Sequence, residues 1–196
     1  MINIDKGTLF LDDYDVTDIK LDQLRSNIAL VPQEGYLFTE TLSDNIRYGN
    51  PEASISKVKA SAHEARMSED IKGFPDGLKT LVGERGITLS GGQRQRTALS
   101  RALLVESKLI VLDDALASVD NKTASAILQT IKNQYSKTVI MISHQLSAAA
   151  SCDRILVMDE GKIVQEGTHQ ALINKNGLYK SMWEREKAKE QLQSDD

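Results

Sequence analysis

Apolar positions along this chain follow two periods, and the two alternate. Leu9-Phe10-Leu11 follows a glycine at Gly7, and residues 27–31 form a second short apolar run closed by Pro32. Short runs bounded by turn residues predict strands, and Pro32, which cannot donate to a sheet ladder, is a natural terminator. Leu21 and Leu24 between them sit on a short polar helix. From Thr41 to Ala65 the spacing turns helical, with Ile55, Val58, Ala62 and Ala65 on one face and a break at Tyr48-Gly49-Asn50-Pro51. Residues 73–86 read as loop, punctuated by Gly73, Pro75, Gly77, Gly83 and Gly86. Helical spacing returns over residues 92–105 through Ala98, Leu99, Ala102, Leu103 and Val105. Ser90, with Gln93 three residues on, has the form of a capping box, so this helix is expected to begin at Ser90.

Residues 108–112 and 138–143 are continuous apolar runs, predicted as parallel strands buried on both faces. The helix between them, over about residues 122–134, turns Ala124, Ile127, Leu128 and Ile131 inward. Residues 154–158 and 162–165 flank Asp159-Glu160-Gly161 and predict a hairpin. Thr168 caps a short last helix through Leu172, and the charged tail after Trp183 is expected to fray. Strands alternating with helices predict an α/β fold with a mainly parallel sheet. Residues 34–105 have little strand character and read as a helical insert. The expected division is a core formed by 1–33 and 106–183, a helical subdomain at 34–105, and a charged tail at 184–196.

Composition narrows the class. The 196 residues are 40% apolar and 27% charged, which suits an ordinary globular core, and 5% aromatics leave that core to Leu, Ile, Val and Ala. A net charge of -4 argues against a general nucleic-acid or anionic-membrane binder. One cysteine, Cys152, excludes a disulfide framework and suits a reducing compartment. No apolar run approaches the roughly 18–20 residues that span a bilayer, and the N-terminus is not a signal peptide, so the polypeptide is expected to be soluble.

Candidate chemistry begins at Leu89-Ser90-Gly91-Gly92-Gln93. Two glycines at a helix start present bare backbone N–H groups, the macrodipole adds partial positive charge, and the serine hydroxyl is a further donor: a receptor for phosphate. A simple capped helix has the same form. Leu109-Ile110-Val111-Leu112-Asp113-Asp114 puts carboxylates at the carboxyl edge of a sheet, where open α/β folds bind ligands. There Asp113 could hold Mg²⁺ through water and Asp114 could polarise an attacking water; a solvated strand end is the alternative. His144 closes the next strand and could contact a phosphate, or be structural. Gln33 follows a strand and could reach a metal or a water. His63 and His169 read as structural, and no His/Cys/Asp spacing suggests zinc.

The order Gln33, Leu89-Ser90-Gly91-Gly92-Gln93, Asp113, Asp120, His144 resembles the nucleotide-binding domain of ABC transporters, a P-loop NTPase, from Val31 to about Gly167. Arg94-Gln95-Arg96 behind the pentapeptide strengthens the likeness. Thr41-Leu42-Ser43-Asp44-Asn45-Ile46, Leu81-Val82-Gly83-Glu84-Arg85-Gly86, Ser143-His144-Gln145-Leu146-Ser147 and Gly161-Lys162-Ile163-Val164 resemble the exporter branch. The resemblance implies an ABC ATPase core with a helical subdomain, using ATP and Mg²⁺, in which two cassettes pack head to tail. Ser90, Gly91, Gly92 and Gln93 would then face the γ-phosphate held by the partner cassette. Gln33 and Asp113 would serve Mg²⁺ and the attacking water, Asp114 would act as the catalytic carboxylate, His144 would contact the γ-phosphate, and Asp120 would lie at the dimer contact. It also implies a transmembrane domain as partner, with no nucleic acid, and a place on the cytoplasmic face of the plasma (inner) membrane.

Two departures modify that expectation. A phosphate loop needs G-x-x-x-x-G-K-[ST], and the only Gly-Lys pair, Gly161-Lys162, is followed by Ile163 in a hairpin. The phosphate loop and the first strands are absent, and Met1 reads as an internal start or the edge of a truncated frame. Such a chain is expected to bind ATP weakly alone, to be poorly stable, and to leave the 109–112 strand with unpaired backbone. Asp114 also stands where the family usually has Glu, as in the degenerate half of a heterodimeric exporter. Two further readings stand beside an exporter ATPase: a non-hydrolysing module that lends its signature motif to a partner, and a soluble ABC protein of DNA repair or translation, against which the acidic charge weighs.

Overall fold

The structure, a computed structural model, describes residues 4–86, 88–134 and 137–194. The reading of Met1 as an internal start falls outside them. β1 (Phe10–Leu11) turns through Asp12, at φ 52°, into the antiparallel β2 (Tyr14–Asp15), so the strand expected from Gly7 is only two residues long. A 3-10 turn capped by Asp15 and α1 (Leu21–Ser26) lead to β3 (Ile28–Val31), which ends before Pro32.

The helical stretch follows. α2 (Leu42–Arg47) is capped by Thr41, α3 (Ile55–Glu64) by Ser54, and the break between them falls at the predicted glycine and proline. α4 (Ser68–Gly73), which periodicity did not reveal, carries Glu69 and Asp70 in its first turn and rests Ile71 on the core. Single 3-10 turns occupy Gly77–Lys79 and Glu84–Gly86 within the predicted loop. α5 (Gly91–Leu104) closes the stretch.

β4 (Leu109–Asp113), α6 (Asn121–Gln134) and β5 (Thr138–Ile142) come next. The sheet is parallel with strand order β3-β4-β5. Ala29, Val31, Ile110 and Leu112 point to one face and are buried with Ala98, Leu99, Ala102 and Leu103 of α5 and Ala124, Ile127 and Ile131 of α6. Fully burying each Val, Leu or Ile of this row stabilises by about 1.5–3 kcal/mol, and each alanine by less.

The other face corrects the sequence reading. Leu30, Val111 and Ile140 lie in register across the three strands, and Leu30, Ile140 and Ile142 are 60%, 48% and 52% exposed. Strands predicted as buried on both faces are therefore covered on one. An apolar run reports that a strand suits burial, not which faces receive a cover. The unpaired backbone also lies elsewhere than expected. β4 is bonded to β3 on one side and β5 on the other, so among the described residues the open edges belong to β3 and β5. An uncharged apolar row beside an open edge favours association. Ile140→Lys is expected to lower self-association while leaving helix content unchanged. Static light scattering over a concentration series checks this, and equal scattering by both proteins would count against it.

α7 (Leu146–Ala149) leads into the predicted hairpin of β6 (Ile155–Asp159) and β7 (Lys162–Gly167), whose turn residues Glu160 and Gly161 have φ of 45° and 75°. Thr168 caps α8 (His169–Ile173) as predicted. That helix is not the last, because α9 (Leu178–Ser194) occupies the segment expected to fray. Tyr179, fully buried, and Trp183 pack with Leu146, Ile155, Val157 and Leu172 in a second small core. His169 Nδ1 and Tyr179 Oη lie 2.8 Å apart, and Gln165 Oε1 accepts from Tyr179 N. Two aromatic anchors one turn apart hold a helix whose charge density alone suggested a loose tail.

Candidate functional site

The N-terminus of α5 is built as the sequence predicts. Ser90 Oγ accepts from Gln93 N at 3.2 Å, and Gln93 Oε1 accepts from Ser90 N at 2.9 Å, a complete capping box. Gly91 and Gly92 form the first two helical positions. Gly92 is there for space: a Cβ would lie 2.8 Å from the carbonyl oxygen of Ser118, and one on Gly91 would lie 3.3 Å from Ser118 Oγ. Gln95 Oε1, buried, accepts from Ser118 N at 2.8 Å, so the turn is fastened to the loop that follows β4.

A second tie was not legible in the sequence. Asp70 of α4 accepts from Gln93 Nε2 at 2.9 Å and from Arg96 Nη2 at 2.7 Å, and the Arg96 and Asp70 side chains are only 14% and 19% exposed. A shielded, two-pronged arrangement of this kind fixes geometry well, because removing either partner strands a charge. Arg94 turns back to donate to Leu89 O at 2.7 Å. The Arg94-Gln95-Arg96 stretch thus anchors the helix start on three sides.

The other candidates collect at the carboxyl end of the sheet. Asp113 closes β4 in register with Ile142 and is half-buried. Asp114 follows at φ 45°, in the left-handed region that Asp tolerates better than most residues, and its N–H donates to Ile142 O at 2.8 Å. Asp114 Oδ1 is buried and has no hydrogen-bond partner among the described residues. His144 lies two residues past the end of β5 and is exposed; Gln33 lies two residues past the end of β3 and is exposed. Gln33, Asp113, Asp114 and His144 therefore stand at the carboxyl ends of three adjacent parallel strands, where open α/β sheets bind ligands. The contacts made by the Ser90-Gly91-Gly92-Gln93 turn run to Ser118 and Asp70 instead.

Asp120 has a local task. Its Oδ1 accepts from Thr123 N at 2.9 Å in the first turn of α6, and hydrogen bonding to Thr123 holds its carboxyl below the usual 3.8. A carboxyl with a depressed folded pKa stabilises above its unfolded value, and that stability is lost as pH falls through the folded value. The Asp120 contribution is therefore expected in full at neutral pH and to fade below pH 3.8. A carbon-detected NMR titration placing its midpoint at or above 3.8 would refute this.

Arg101 was also missed, although it interrupts the apolar stripe of α5. Its Nε donates to Asn45 O at 2.9 Å and its Nη1 to Tyr36 O at 3.0 Å, and its guanidinium lies 5.1 Å from the Tyr48 ring centroid and 5.6 Å from that of Phe38. Asn45 in turn accepts from Phe38 N at 2.8 Å and donates to Phe38 O at 3.0 Å. The segment after Gln33 is thus held by the same helix that begins with the glycine turn. Around it Tyr36, Tyr48 and Leu81 are exposed, and a bridge from Thr41 to Leu81 sets the 81–86 loop beside α2.

Among the described residues no three His, Cys, Asp or Glu side chains converge as a ready metal cage, and no helix is long and apolar enough to cross a membrane. Residues 1–117 match the ABC transporter family. The chain is 41% identical over 188 residues to ABC transporter B family member 24, mitochondrial, of Arabidopsis thaliana, an alignment covering 95% of this chain and 28% of that protein. It is 44% identical over 174 residues to the ATP-dependent lipid A-core flippase of Chromobacterium violaceum, covering 88% of this chain and 30% of the flippase. A solved bacterial Atm1-family ABC exporter with ATP bound shares its fold at a TM-score of 0.87 and 38% identity, over 90% of this chain and 31% of that one. The chain spans less than a third of the length of these relatives. Motif order, a parallel sheet with acids at its carboxyl end and these likenesses lead to one conclusion: the chain belongs to the ABC transporter family and has the ATP-binding-cassette fold of its exporter members.

Proposed function

We propose that this chain is the nucleotide-binding part of an ABC exporter and works head to tail with a second, different cassette around MgATP. The observation that carries this reading is the turn at the start of α5. Its capping box occupies the N–H groups of Ser90 and Gln93, while those of Gly91 and Gly92 have no acceptor among the described hydrogen bonds. They sit at the positive end of a 14-residue helix, suited to a γ-phosphate presented by the partner. Ser90 Oγ accepts from Gln93 N, so its own proton remains to be donated to that phosphate.

The strand-end residues fit a magnesium nucleotide. Asp114 Oδ1 is a buried acceptor without a partner among the described residues, and Asp113 and Gln33 offer oxygens from neighbouring strand ends. Asp113 and Gln33 would hold Mg²⁺, which when bound neutralises charge on the phosphates. Asp114 would take a proton from the attacking water, and His144 would donate to the γ-phosphate. Asp120, the cap of α6, would lie at the cassette contact near Ser118.

Residues 1–33 and 106–183 would act as the ATP-binding core, 34–105 as the helical subdomain and 184–196 as a tail. The exposed Tyr36, Tyr48 and Leu81 support a docking surface there for a transmembrane domain, at the cytoplasmic face of the membrane. A second reading, a module that lends its glycine turn without hydrolysing ATP, is favoured by two features: no G-x-x-x-x-G-K-[ST] stretch occurs in the 196 residues, and Asp114 replaces the family's Glu.

Mixing the chain with a phosphate-loop-bearing exporter cassette blocked in hydrolysis tests both readings. Analytical ultracentrifugation is expected to show a complex only with MgATP, and Gly91→Asp is expected to abolish it. No complex, or one indifferent to MgATP, would overturn the head-to-tail reading.

A further inference from the structure

We infer that Glu186, on α9, is a positioning residue for the His144 loop: its carboxylate takes the first two N–H groups of α7 and so fixes the backbone directly after His144. The functional weight of this inference rests on the phosphate contact proposed for His144.

α7 has four residues, and a helix start leaves its first N–H groups without intrahelical partners. Its own cap residue does not serve them. Gln145 makes no side-chain cap bond, and its Oε1 is buried without a partner among the described residues. Glu186 supplies the acceptors from 40 residues away: Oε2 accepts from Leu146 N at 3.1 Å and Oε1 from Ser147 N at 3.0 Å. Both bonds are charge-assisted, which makes them stronger than those of a neutral cap. Ser143 Oγ accepts from Gln145 N at 3.0 Å, so three successive N–H groups after His144 are held. On the upstream side, Ile142 O accepts from Asp114 N.

Glu186 is placed by packing. Tyr179, Trp183 and Glu186 follow at helical spacing on one stripe of α9. The two rings seat the helix in the small core that also buries Leu146, and Glu186 lands over the start of α7. The charged C-terminal helix thereby sets the register of a loop at the carboxyl end of the sheet. A change in α9, from a neighbouring chain or from loss of the helix, would be felt at His144.

The test uses the nitrogen-15-labelled chain without nucleotide. In Glu186→Ala the Leu146 and Ser147 amides are expected to exchange at least about 10-fold faster, and the ring and amide signals of His144 to shift, while β4 and α5 amides keep their rates. In Glu186→Gln, with one carbonyl acceptor in place of two, one of the two amides is expected to recover and the His144 shift to shrink. Unchanged exchange, or faster exchange with native His144 signals, would overturn the inference. If Glu186→Ala loosens α9, seen in the emission of the single tryptophan Trp183, the Gln variant decides, and native His144 signals in it overturn the inference. His144 signals of the native chain that ignore MgATP and a partner cassette would remove the phosphate reading alone, because the Glu186 coupling is measured without nucleotide.

Discussion

Arg101→Ala is expected to lower the unfolding free energy by about 3 kcal/mol, a large loss for a side chain that is not fully buried. The substitution leaves Asn45 O, which is partly buried, without its donor, and each such stranded acceptor costs roughly 1–3 kcal/mol. It also removes the cation that lies over the adjoining Phe38 and Tyr48 rings, worth about 0.5–1 kcal/mol per ring at sites of this exposure, and the bond to Tyr36 O. Burial lowers the Arg101 pKa from its usual value, as loss of water does for a cation. Arg101→Lys should recover less than half of the loss, because a point charge cannot serve two carbonyls and two rings at once. Urea unfolding followed by far-UV circular dichroism measures both. A loss under about 1 kcal/mol for Arg101→Ala would show that the tie between α5 and the segment after Gln33 is dispensable.

The second large effect concerns rate. In an assembled cassette pair that has a phosphate loop, Asp114→Glu is expected to raise ATP hydrolysis at this site by about 10²-fold. The aspartate carboxylate falls about 1 Å or more short of the place a glutamate reaches, and misplacement on that scale costs rate of this order. Asp114 Oδ1 is buried and has no hydrogen-bond partner among the described residues, so no local bond to that oxygen competes with the role proposed for it. Glu gains less than Asp from the left-handed backbone at φ 45°, and a stability loss of about 1 kcal/mol should accompany the gain in rate. Single-turnover hydrolysis measured beside a melting curve checks both halves. A variant no faster than the native pair would refute the weakened-site reading.

Particular residues show where sequence reasoning reached and where it stopped. The start of α5 was legible because a capping box is a local exchange of bonds between Ser90 and Gln93. The β6–β7 hairpin and the Thr168 cap were legible for a similar reason: their partners lie 3 to 12 residues apart, around one turn. Asp70, Gln95 and Glu186 carry no local mark, and Arg101 carries only its interruption of an apolar stripe. Their partners are 23 to 56 residues away for Gln93, Ser118 and Asn45, and about 40 residues away for Leu146. The C-terminal segment carries a charge density that suggests fraying, whereas Tyr179 and Trp183 anchor the start of its helix in the small core.

By itself the sequence determined most of the helices and strands, α4 and α9 excepted, the parallel sheet, the glycine turn at Ser90-Gly91-Gly92-Gln93 and the order of Gln33, Asp113, Asp114 and His144. These follow from short-range periodicity, capping and turn chemistry, which act within a few residues. Only the tertiary structure decided that β4 is the central strand, that among the described residues one sheet face stays open at Leu30, Ile140 and Ile142, and that Gln33, Asp113 and His144 follow the ends of adjacent strands on one side of the sheet. It alone decided that α9 reaches back to hold the loop after His144. An apolar strand is equally suited to a centre or an edge, and a charged side chain to solvent or to a distant N–H. The partner that packs against it makes the choice.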